Sequence, residues 1–145
     1  MRRARVFVLV IASLLLVAAC GGSAITANRI ERAIAPTFAN LLHTQLSRMG
    51  LGDIPADRFR VVASCYRVSG GRSGSGEWVC TIVWSGPGGG TLRDTYDLAV
   101  GTNGCYTATL AASSEATLGG PTVPAADGRQ VRNLLYAFDG CFDTT

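Results

Sequence analysis

The sequence contains no lysine: all 13 of its basic residues are arginine, and it has a single histidine, His43. Without lysine there is no Schiff-base chemistry. With one histidine, nucleophilic triads and multi-histidine metal centres are confined to whatever His43 could do alone. An excess of one charge is missing as well. Arg2, Arg3 and Arg5 sit at the extreme N-terminus, and the ten arginines beyond them balance ten Asp and Glu. That neutrality removes bulk attraction to nucleic acid, which is not expected as a partner. Finally, no apolar run is long enough to span a bilayer. The longest, residues 6–19 with only Ser13 inside it, would rise about 21 Å as a helix, short of the roughly 30 Å hydrocarbon core.

What that run does offer is an export signal, a basic start followed by an apolar stretch. It ends in Val17-Ala18-Ala19-Cys20, which resembles the bacterial lipobox: a branched apolar residue, two small ones, then the cysteine whose thiol takes up diacylglycerol before cleavage. The expectation is a signal peptide over residues 1–19, lipidation (palmitate) at Cys20, a tether over 20–27, and one domain over 28–145. An acylated cysteine with two or three chains anchors stably. The expected address is the outer face of the cell membrane, with the domain close to the leaflet.

Setting Cys20 aside leaves Cys65, Cys80, Cys105 and Cys141. An even number in a small exported domain reads as two disulfides, and no Cys-x-x-Cys clasp suggests zinc. The strand-like runs 58–68 and 77–84 flank the Gly/Ser-rich stretch 69–76. Pairing Val68 with Glu77 sets Cys65 opposite Cys80, where a cross-strand bridge fits. Cys105 is then left for Cys141.

The remaining pattern predicts an α+β fold. Ile30, Ile34, Phe38, Leu41, Leu42 and Met49 share a helical stripe over 28–49, with Asn28-x-x-Glu31 as capping box, Gly50 as stop, and Pro36 expected to kink or split the helix. Strands near 58–68, 77–84, 91–100 and 105–110 form a four-stranded antiparallel meander on which the helix packs. Between the last two, a three-residue loop with left-handed Gly104 sets Val100 against Tyr106, Leu98 against Ala108 and Tyr96 against Leu110. A short C-terminal helix follows, capped by Asp127, carrying Val131, Leu134, Leu135 and Phe138, and tied by Cys141.

Propagating the registers assigns Val62, Val79, Val83, Leu92, Tyr96, Leu98, Val100, Tyr106 and Ala108 to the helix-covered face. The other face then carries the Cys65–Cys80 bridge, Ile82, Trp78 and Trp84, with Arg67 stacked on Trp78. This makes Trp78, Trp84 and Arg67 the candidate binding surface, with a fully covered face as the rival arrangement. The carboxylate pairs Asp94/Asp97 and Asp139/Asp143 read as solvated residues rather than as acid and base, and the Gly-rich stretches join strand to strand, unlike phosphate loops. No catalytic residue, cofactor or metal is assigned, and the protein is not expected to be an enzyme.

The Cys65…Trp78-Val79-Cys80 hairpin, the segment Gly104-Cys105-Tyr106-Thr107-Ala108 and the closing Phe138-Asp139-Gly140-Cys141-Phe142 resemble those of small actinobacterial lipoproteins. The resemblance implies a lipidated, two-disulfide secreted domain. In element order the chain is also similar to helix-on-sheet modules of the cystatin-like or PepSY-like kind, and more loosely to two-disulfide protease inhibitors. The function expected is a non-catalytic binding or assembly module acting on a protein or envelope component. Alternatives are a carrier of a small apolar ligand or lipid in a helix–sheet pocket, and an inhibitor-like protein.

Overall fold

The structure, a computed structural model, describes residues 24–144. The signal segment and Cys20 lie outside the described residues.

Helix α1, Ala27–Arg48, starts one residue before the expected box. Thr26 is the N-cap, its hydroxyl accepting the Arg29 amide at 3.4 Å. Asn28 is already inside the helix, and Glu31 does other work: its carboxylate accepts the backbone amide of Cys65 at 2.8 Å. Pro36 does not split the helix, which runs as one element with Ile30, Ile34, Phe38, Leu42 and Leu46 buried along one stripe. Gly50, at φ 73°, closes it through bonds from Gly50 N to Ser47 O and from Leu51 N to Leu46 O.

A 3-10 turn over Ala56–Phe59 then delivers the chain to the sheet. Strands β1 (Val62–Arg67), β2 (Gly76–Ser85), β3 (Thr91–Val100) and β4 (Cys105–Leu110) form the expected meander. Cys65 stands opposite Cys80, and Val100, Leu98 and Tyr96 stand opposite Tyr106, Ala108 and Leu110, as the hairpin geometry requires. Both disulfides are formed, Cys65–Cys80 and Cys105–Cys141.

Two expectations are corrected. Residues 127–139 are not a helix. After a short helix α2, Glu115–Leu118, the chain makes a small ribbon from β5 (Thr122–Pro124) and β6 (Gln130–Arg132), and β7 (Ala137–Cys141) joins β4 as a fifth strand. Asp127 caps a turn instead of a helix: its carboxylate takes the Arg129 amide at 3.0 Å, and Gly128, at φ 82°, closes the hairpin. Gly140 is a strand position and not a helix stop. A Cβ there would meet the Tyr106 hydroxyl at 2.5 Å, so the ring lies directly across the glycine.

The second correction concerns the faces. β2 pairs with β3 so that Ser85 faces Thr91 and Trp84 faces Leu92. The expected faces place Val83 on the side of Leu92, whereas this pairing puts Trp84 there, and a one-residue change of register exchanges the faces of a strand. Trp78, Cys80, Ile82 and Trp84 therefore share the α1 side with Tyr96, Leu98, Val100, Tyr106, Ala108 and Phe138, in a single core. Val62, Val79 and Val83 point the other way, onto a face that no helix covers among the described residues.

Candidate functional surface

Arg67 and Trp78 act inside the β1–β2 hairpin. The Arg67 guanidinium donates to the carbonyls of Gly70, Ser73 (3.0 Å) and Ser75 (2.5 Å), drawing the loop around itself. The Trp78 indole donates to the Gly74 carbonyl at 3.1 Å. Trp78 and Trp84 are only 1% and 4% exposed, so neither indole is available to a partner. The Trp-based binding surface is thus withdrawn. Phe38 packs on Trp84 and Tyr96 with ring centroids 5.9 and 6.1 Å away, and Tyr96 meets Phe138 at 5.3 Å. These rings fill the space between helix and sheet that a ligand carrier would need open.

Within this core sits Asp94, fully buried, accepting the Trp84 indole N–H. Burial raises its carboxyl above the ordinary 3.8, with hydrogen bonding from Trp84 and Thr117 opposing the shift. Asp97 lies on the opposite face and is exposed, so Asp94 and Asp97 do not form a carboxylate pair. Burial likewise raises the Tyr96 phenol far above its usual range. It stays neutral and donates to the Leu135 carbonyl at 2.7 Å. His43 donates from Nδ1 to the Ile54 carbonyl at 2.8 Å, with Asp53 3.6 Å from Nε2, a linkage that ties the helix to the next loop. Among the described residues no group of three or more His, Cys, Asp or Glu is placed to hold a metal.

What the structure leaves open is the outer sheet face. Val62, Tyr66 and Val68 are 64%, 60% and 58% exposed, and Val79 and Val83 lie beside them on β2. Sequence reasoning missed this stripe because the register across residues 86–90 decides which face is covered. Fold and surface together define a helix-on-sheet domain whose other sheet face, uncovered among the described residues, carries an apolar stripe along β1 and β2. No family model matches the chain, and no match is found among curated proteins or solved structures.

Proposed function

We propose that the protein is an exported lipoprotein, acylated at Cys20, whose domain is a non-catalytic binding or assembly module at the outer face of the cell membrane. The observation that carries the binding role is the uncovered stripe of Val62, Tyr66 and Val68, since exposed apolar surface of this kind marks interaction sites. The two disulfides fit an oxidising compartment, and Val17-Ala18-Ala19-Cys20 supplies the anchor. The partner is a protein or envelope component engaging the part of the stripe around Val62 and Val83.

Two measurements test this. Metabolic palmitate should label the parent chain and not Cys20→Ala, which should also leave the membrane fraction. A photo-crosslinker at Val62 should give one discrete adduct in intact cells, lost when Val83 is changed to Glu. Absence of any adduct along the stripe removes the binding role, and persistent labelling of Cys20→Ala removes the anchor.

A further inference from the structure

The first of the described residues are fixed at a specific place. Ile25 is buried, its carbonyl accepts the Gly74 amide at 2.9 Å, and Thr26 bridges to Ser73. The start of the domain is therefore bound to the loop between β1 and β2. Ile25 is thus fixed five residues beyond Cys20, a stretch of chain that spans at most about 17 Å. A loop held so near an acylated cysteine lies at the headgroup layer.

Two further observations fit that location. Tyr66 and Val68, two of the most exposed large apolar residues among those described, stand at the same end of the sheet as the loop. Four of the loop's carbonyls are also satisfied from within. Side-chain donors of Arg67 and Trp78 take the carbonyls of Gly70, Ser73, Gly74 and Ser75. A carbonyl already hydrogen-bonded to its own protein loses little when water is thinned around it.

We propose that Tyr66, Val68 and the loop 69–75 form a membrane seat, entering the interfacial layer of the leaflet that holds the Cys20 lipid. The proposal rests on the anchor reading above. The domain is then attached at two points and held in one orientation. A tyrosine suits the layer, with an apolar body and a polar tip. Exposed Arg72 in the loop can meet a phosphate, but Glu77, paired opposite Val68, offsets it, so the seat is apolar and shallow. Val62 lies six residues further along the strand, about 20 Å from Val68, and stands clear of the leaflet with the partner-facing half of the stripe.

The test uses the full lipidated chain in vesicles of phosphatidylethanolamine and phosphatidylglycerol carrying nitroxide-headgroup lipids. Tryptophan is placed singly by Val68→Trp, Tyr66→Trp or Val62→Trp, with the two buried native indoles as constant background. The added fluorescence at positions 68 and 66 is expected to shift to the blue and be quenched several-fold more than at 62. Two independent positions keep the result readable if one variant folds poorly. Equal quenching at all three overturns the seat in favour of a sheet lying flat. No quenching at 66 and 68 in a chain that takes up palmitate and floats with the vesicles overturns the seat and leaves the anchor standing. Tyr66 shielded from oxidative footprinting in cells, yet unquenched in vesicles, overturns it in favour of a protein partner. A chain that takes up no palmitate removes the anchor and the seat together.

Discussion

The two faces of strand β2 differ less in composition than in company. Trp78, Cys80, Ile82 and Trp84 point to α1, while Val79, Thr81 and Val83 point outward, and both rows contain β-branched apolar residues. What separates them is β3, which sets Leu92, Tyr96 and Leu98 beside the tryptophans and Arg93, Thr95 and Asp97 beside the valines. A face becomes core when every strand contributes to it. One strand's alternation does not decide the matter.

The largest effect that could break this contrast is at Trp84. Trp84→Ala should cost about 3–5 kcal/mol in urea unfolding, as removal of a large core side chain does. A cost below about 1 kcal/mol would contradict its burial and return the indole to the list of binding residues. Next come the cross-links. Replacing Cys105 and Cys141 by Ser should cost about 2–4 kcal/mol, somewhat more than replacing Cys65 and Cys80, because the loop it closes is longer. The sequence separations are 36 and 15. Cys141 is exposed while Cys80 is fully buried, so graded reduction followed by thiol labelling should open the 105–141 bridge first.

Gly104→Ala should cost more than the ~1 kcal/mol typical of an ordinary glycine replacement. Its φ is 77°, and a Cβ would meet the Phe142 carbonyl at 2.6 Å. Gly89→Ala, at φ 82° with open space around it, should show the backbone penalty alone. Thermal melts of the two variants compare them directly.

Asp94→Asn tests the core face through pH. The folded state holds the Asp94 proton more tightly than the unfolded chain, so the stability this group contributes at acid pH is lost as pH rises through its raised folded-state value. The Asn variant should therefore gain on the parent as pH rises above the ordinary carboxylate range, about 4, and a gap in melting temperature that stays flat would contradict the burial. Smallest of all, Val83→Thr on the open face should change stability by no more than about 0.5 kcal/mol.

Local chemistry made much of this fold legible. The apolar stripe and Gly50 mark α1, and directly opposed cysteines mark the first hairpin. The loop at 101–104 is readable because Gly104 must be left-handed, and its bonds from Gly101 N to Cys105 O and from Gly104 N to Gly101 O follow. The same loop occurs twice more. Gly86–Gly90 closes with Gly86 N to Gly90 O and a left-handed Gly89, and Ala125–Arg129 closes with Ala125 N to Arg129 O and a left-handed Gly128. Applied to Pro87-Gly88-Gly89, the rule used at Thr102-Asn103-Gly104 gives the correct β2–β3 register and puts both tryptophans in the core. Applied to Ala126-Asp127-Gly128, it replaces a helix cap with a hairpin.

The remaining error has a non-local cause. Val131, Leu134, Leu135 and Phe138 do repeat with helical spacing, but Asn133 pulls the backbone elsewhere. Buried, it donates to the carbonyls of Leu118 and Gly120 at 2.8 and 2.9 Å and accepts the Leu135 amide at 3.0 Å. The segment then pairs with β4, some thirty residues earlier in the chain. Periodicity within a window carries no information about such a partner. A cross-strand disulfide does: Cys105 faces Cys141 as Cys65 faces Cys80.

Those two bridges lie at opposite borders of the sheet, one locking β1 to β2 and the other β7 to β4. Border strands are where neighbouring molecules trade segments, and copies tethered to one leaflet by the proposed anchor would collide in two dimensions far more often than free ones. With both borders covalently closed, neither outer strand can leave its own sheet to complete another's. Crowding on the membrane can then bring these domains side by side without entangling their chains.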